Sequence, residues 1–88
     1  MVLSKAVFRV GKDRDFVDYC ISDNSAISRR HANFMVRNGD VFVIDTNSTN
    51  HTFVNGVMIR SNTEVKLTHG DEIRLANEDF MLYCAGTI

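Results

Sequence analysis

The sequence predicts an all-β domain, an antiparallel β-sandwich. Three observations carry this. Apolar and polar residues alternate with a period of two over short runs. Proline is absent, and Asn-Gly and Gly-Asp pairs mark the turns in its place. The longest glycine-free stretch without strand alternation, residues 12–30, is rich in Asp, Ser and Asn, which favour turns and caps over helix interiors.

Along the chain, Ala6, Phe8 and Val10 alternate with Val7 and Arg9 in a run that ends at Gly11. Residues 32–37 and 40–44 flank Asn38-Gly39, the strongest short-range hairpin signal. A two-residue loop there sets Arg37 opposite Asp40, Val36 opposite Val41 and Phe34 opposite Val43. One face then carries Ala32, Phe34, Val36, Val41 and Val43, all apolar. The other carries Asn33, Met35, Arg37, Asp40, Phe42 and Ile44, a mixed set that suits the outside of a sandwich. Further on, Ile73 and Leu75 alternate with Arg74, and Phe80 and Leu82 with Met81 and Tyr83. Asn77-Glu78-Asp79 between them predicts a second hairpin. His69-Gly70-Asp71 and Ala85-Gly86 mark further turns. Phe8, Phe34, Phe42, Phe53, Phe80, Met35 and Met81 sit at strand spacing and are expected in the core.

Eighty-eight residues suit one small domain, residues 1–88. The hydrophobic share of 44% and charged share of 24% are those of a folded protein. Ten Lys+Arg against eleven Asp+Glu give a net charge of −1, which removes the main warrant for nucleic-acid binding. No stretch approaches the length of apolar sequence a membrane span needs. Lys5 and Arg9 interrupt the first apolar run, so it does not read as a signal peptide. Cys20 and Cys84 make no disulfide framework and are expected to be reduced, half-buried thiols in the cytoplasm, or in the nucleus of a eukaryote, unless the fold brings them together. The glycosylation-type triplets Asn47-Ser48-Thr49 and Asn50-His51-Thr52 are read as coincidence in that setting.

Two polar loops stand out, residues 25–31 (Ser-Ala-Ile-Ser-Arg-Arg-His) and residues 45–52 (Asp-Thr-Asn-Ser-Thr-Asn-His-Thr). Each alone is more often a self-bonded turn than a site. Their order along the chain says more. Gly11-Lys12, Ser28-Arg29-Arg30-His31, Ser48-Thr49-Asn50, Asn55-Gly56, and Leu67 with Gly70-Asp71-Glu72-Ile73 follow one another. This ordered set resembles the forkhead-associated (FHA) domain family over about residues 8–83. Each piece is weak by itself, and five elements must coincide.

The resemblance implies an FHA-type sandwich whose loops bind threonine-phosphorylated proteins in Ser/Thr kinase pathways. The residue chemistry agrees. A phosphothreonine carries about −1.5 to −2 charge and three acceptor oxygens. Lys12 offers a point charge, Ser28 and Thr49 offer hydroxyls, and Arg29 offers a guanidinium and a backbone N–H. Asn50 matches the asparagine that hydrogen-bonds the peptide main chain. By the same resemblance Gly11 and His31 support the site, and Asn55-Gly56 forms a turn that holds Asn50's loop. Such binding needs no nucleophile, general base, cofactor or metal.

Four departures bear on the site. Lys12 stands where the family has arginine, and it cannot fork across two oxygens. His51 stands where the family has glycine; in a left-handed position it is a less easy occupant. Ala26 stands where some relatives read the third residue after the phosphothreonine with arginine. The family's first strand is missing or reduced to Val2 and Leu3, which would leave a sheet edge open to a partner or a second copy.

Other function classes fit less well. Ser28 and His31 lie three apart, on opposite faces of an extended segment, with no acid tied to them, so they do not read as a nucleophile and its base. His31, His51, His69 and the cysteines match no zinc spacing. The alternative that keeps the fold is a scaffold or self-assembly module with weak or no phosphate binding, such as a homodimer through the open edge.

Overall fold

The structure, a computed structural model, describes residues 1–84; the expected turn at Ala85-Gly86 lies outside the described residues. Its strands are β1 (Val7–Gly11), β2 (Tyr19–Cys20), β3 (Ala32–Arg37), β4 (Asp40–Asp45), β5 (Thr52–Val54), β6 (Val57–Met58), β7 (Glu64–Leu67), β8 (Glu72–Leu75) and β9 (Glu78–Met81). One sheet runs β2-β1-β3-β4-β7 and the other β6-β5-β8-β9.

Local chemistry accounts for the tightest connections. Asn38 and Gly39 take φ of 52° and 80°, and Asn55 and Gly56 take 51° and 82°. Two consecutive positive φ values make the turn that matches strand twist, and Asn-Gly reaches it most easily. The first turn sets the β3–β4 register as expected, with Arg37 on Asp40, Val36 on Val41 and Phe34 on Val43. The inner face so defined is buried at Ala32, Phe34, Val41 and Val43, and Val36 is half-buried against them.

Val10, Ile27, Ala32, Val43, Ile73 and Leu75 form the innermost core between the sheets. Of the seven Phe and Met positions expected there, only Phe8 and Phe34 are fully buried. Phe42, Phe53 and Met35 fall on outer faces and are half-buried, Phe80 packs at the core margin, and Met81 is exposed. Period-two spacing identifies two faces of a strand but not which one turns inward.

Three further expectations are corrected. All pairings are antiparallel except β1–β2, which is parallel, with Val10 on Tyr19 and Gly11 on Cys20. This short strand lies inside the polar stretch where no alternation could announce it. The second hairpin turns at Ala76-Asn77 rather than at 77–79, because Leu75 pairs with Glu78. Ala76 adopts a left-handed φ of 58° there, and its N–H donates to the His51 carbonyl at 3.0 Å. Of the two forms expected for the first strand, its absence holds: Val2 and Leu3 form no strand, and Leu3 packs against the core. Cys20 is a half-buried free thiol, whereas Cys84, expected half-buried, is exposed.

Leu75 has no exposed surface. Replacing it with alanine deletes its buried methyls and leaves a cavity, so Leu75→Ala is expected to cost about 2–5 kcal/mol. Urea unfolding should show the midpoint falling with little change of slope.

Candidate functional site

Three loops meet at one end of the sandwich: residues 12–18 after β1, residues 21–31 before β3, and residues 46–51 between β4 and β5. Backbone bonds join the first two. Lys12 N–H donates to the Ser28 carbonyl and Asp13 N–H to the Arg29 carbonyl, both at 3.0 Å. Gly11 permits this approach: a Cβ there would sit 2.1 Å from the Arg29 carbonyl oxygen. No side chain can stand at that distance from backbone.

A buried histidine joins the second loop to the third. Ser28 N–H donates to His31 Nδ1 at 3.0 Å, so the imidazole proton is on Nε2, which donates to the His51 carbonyl at 2.9 Å. His31 is fully buried. Burial pushes its pKa below the ordinary 6.5, against the smaller raising effects of the His51 carbonyl and the Asp45 charge. The neutral form is the one these two bonds require.

Asp45, at the end of β4, organises the third loop and was not singled out from the sequence. It is buried. Its carboxylate accepts from Ser48 N–H at 3.0 Å, from the Ser48 hydroxyl, from Thr52 Oγ1 at 2.7 Å and from Ser61 Oγ at 2.8 Å. Burial pushes its pKa up, but these hydrogen bonds outweigh it and hold the group below the ordinary 3.8. An Asp closing an apolar strand and followed three residues later by Ser is a turn signature that could have marked it.

The five expected ligand-binding residues, Lys12, Ser28, Arg29, Thr49 and Asn50, all line one cleft of about 660 Å³ at this end. Ser28 Oγ accepts from Thr49 N–H at 3.0 Å, which leaves its own hydrogen to donate into the cleft. Asn50 Nδ2 donates to the Ala26 carbonyl at 2.9 Å, leaving the second amide hydrogen and Oδ1 open. His51 sits at φ 70°, the left-handed conformation in which glycine is the easier occupant.

Asn55 does not support this cleft. Its turn is at the far end of β5, where Nδ2 donates to Asp71 at 3.0 Å and Oδ1 accepts from Glu72 N–H at 2.9 Å. The residue braces the β7–β8 connection instead of Asn50's loop, because a three-residue strand separates the two. Phe16 and Arg30 also line the cleft, with Arg30 Cζ 3.9 Å from the centre of the Phe16 ring. Neither is among the residues expected at the site: Arg30, just before β3, reads as a strand-start surface residue.

Among the described residues, five of the ten Lys and Arg side chains form ion pairs, none of them in the cleft, and Arg14 and Arg60 outside the cleft are unpaired as well. Lys5 and Arg9 pair with Asp18, Arg37 with Glu64, Lys66 with Asp40 and Arg74 with Asp79. Among the described residues, Lys12, Arg29 and Arg30 in the cleft have no carboxylate partner. Asp13 is the one carboxylate lining the cleft, and it accepts from Asp15 N–H at 3.2 Å. The cleft therefore presents unpaired cations and open donors, an arrangement that attracts an anion.

Residues 8–76 match the model of the FHA domain. Among curated proteins, the protein phosphatase 1 regulatory inhibitor subunit PPP1R8 homolog of Arabidopsis thaliana is 34% identical over 67 residues, covering 75% of this chain and 18% of its own length. Among solved structures, Mycobacterium tuberculosis EmbR in complex with a low affinity phosphopeptide is 32% identical with a TM-score of 0.85, over 98% of this chain and 22% of that one. The N-terminal FHA domain of S. cerevisiae Rad53p in complex with a phosphothreonine peptide is 31% identical with a TM-score of 0.69, over 76% of this chain and 53% of that one. The chain thus spans less than half the length of the curated relatives it matches.

The lowered pKa of His31 sets a pH window. A buried base with a depressed pKa contributes stability that is fully present above the unfolded value of 6.5 and is lost as pH falls toward its folded value. Asp18, Asp45, Glu64, Asp71 and Asp79 are also lowered, so theirs is lost only below the ordinary 3.8 to 4.5. Stability measured by denaturant between pH 8 and pH 4.5 is expected to stay level above pH 6.5 and fall below it. In His31→Gln, less stable throughout, that slope is expected to flatten.

Proposed function

The chain belongs to the FHA-domain family, and from that premise we propose that it recognises threonine-phosphorylated segments of partner proteins through the cleft lined by Lys12, Ser28, Arg29, Thr49 and Asn50. The single observation that carries this reading is the convergence of those five residues, drawn from three loops, on one cleft whose cations lack carboxylate partners. The EmbR and Rad53p domains, solved with a phosphopeptide and a phosphothreonine peptide, support the ligand class.

Each part then has a task. Lys12 and Arg29 supply charge to the phosphate, and the Ser28 and Thr49 hydroxyls donate to its oxygens. The Asn50 amide pairs with the peptide main chain and sets its register. Packing of the threonine methyl favours threonine over serine by about 0.8 kcal/mol per buried carbon. The ligand is the product of a Ser/Thr kinase. The chemistry is binding, with His31 held neutral and committed at both nitrogens.

A hydrogen bond to a charged group contributes about 1.5–3 kcal/mol, or roughly tenfold or more in affinity. Titration of a phosphothreonine peptide library is therefore expected to show that Ser28→Ala weakens binding at least about tenfold, and that Asn50→Ala, which removes neutral main-chain bonds of about 0.5–1.5 kcal/mol each, weakens it about two- to tenfold. Unphosphorylated peptides should bind far more weakly, and added salt should weaken the phosphorylated ones. Equal binding of both peptide forms, or normal binding by both variants, removes the reading.

A second reading, self-assembly through the free edge of β9, is favoured by the apolar groove beside it, where Met81 is 51% and Tyr83 72% exposed. It expects dimers at micromolar concentration that are indifferent to phosphopeptide, which sedimentation velocity in the two conditions would detect.

A further inference from the structure

We propose that Arg30, held on the face of Phe16, is a second anion reader in the cleft, and that it selects phosphothreonine ligands carrying another acidic side chain nearby. The inference rests on the phosphothreonine reading and adds to it the class of sequence preferred.

Arg30 Cζ lies 3.9 Å from the Phe16 ring centre, within the range of a favourable cation–π contact. Phe16 is 47% exposed, so the stacked pair lies at the solvent-facing surface of the cleft. The two residues come from different loops and are brought together only by the fold. The Arg30 backbone is fixed as well, because its carbonyl accepts from Thr46 Oγ1 at 2.9 Å. A flat aromatic surface restricts a guanidinium without using its N–H groups, so the donors stay available.

Charge accounting favours an anion over a structural role. Every cation that forms an ion pair in this chain does so away from the cleft, at Lys5, Arg9, Arg37, Lys66 and Arg74. A phosphate held by Lys12 and Arg29 leaves the Arg30 charge unanswered among the described residues. Asp13, the carboxylate in the lining, is engaged by the Asp15 N–H at 3.2 Å.

Position along the ligand follows from chain order. Asn50 is tied to Ala26, two residues before Ser28, and Arg30 lies two residues after it. The amide, the Ser28 hydroxyl and the stacked guanidinium all line the same cleft. Arg30 lies two residues from Ser28, at most roughly 7 Å of chain, so the second anion belongs one to three residues from the phosphothreonine. A carboxylate and a second phosphate share the required chemistry.

The test is a panel of fluorescent phosphothreonine peptides with Ala, Asp or phosphoserine at each of the three positions on either side. The wild-type domain is expected to favour the acidic residue about three- to fivefold at one of these positions, the range of an exposed charge pair. The ratio of acidic to alanine affinity should fall to near one in Arg30→Gln, be partly retained in Arg30→Lys, and drop in Phe16→Ala. Comparison of Asp with phosphoserine identifies which source the site prefers. No preference at any position, or a preference that survives Arg30→Gln, overturns this inference and leaves the phosphothreonine reading intact. Loss of all phosphothreonine dependence in the wild type overturns both.

Discussion

The cleft depends on one buried imidazole. His31 accepts the Ser28 N–H on one side and donates to the His51 carbonyl on the other. Those two bonds couple loops that are 20 residues apart in sequence. The same His51 carbonyl also takes the Ala76 N–H, so the β8–β9 turn is drawn into the arrangement. A buried polar group is costly unless every bond it needs is made, and the Ser28 N–H in turn would lose its acceptor without the imidazole. The imidazole thus ties the Ser28 backbone to the His51 loop, beside the donors a ligand must meet.

Asp45 does a related job from the other side. Three hydroxyls and one N–H converge on its buried carboxylate, and they curl the loop that carries Thr49 and Asn50. The charge of Asp45 is consumed inside the protein. It does not cancel the cations of Lys12, Arg29 and Arg30 at the surface. A chain with a net charge of −1 can in this way carry an electropositive cleft. Total charge describes solubility and bulk attraction, whereas binding responds to which charges are already paired.

Much of the fold was legible because it rests on local rules. The Asn38-Gly39 turn, its register and the buried face of β3 and β4 follow from backbone conformation and side-chain alternation. The five residues that line the cleft were legible through the order of their motifs. The parts that were misread have a common character. The β1–β2 pair is two residues long, too short for a period to register. The Ala76 turn uses a residue with no turn preference, held by a carbonyl from another loop. Asn55 was placed with Asn50 by the family resemblance, yet β5 carries it to the opposite end, beside Asp71.

What the sequence determined alone was the alternation of faces, the turns that demand positive φ, and the inventory of donors and cations. These are properties of a residue and its immediate neighbours. Tertiary structure decided which strand face turned inward, which carbonyl received His31, which cations kept their charge free and which aromatic ring met Arg30. Each of those is a contact between distant segments. Its partner is chosen by the geometry of two packed sheets, and no local pattern encodes that distance.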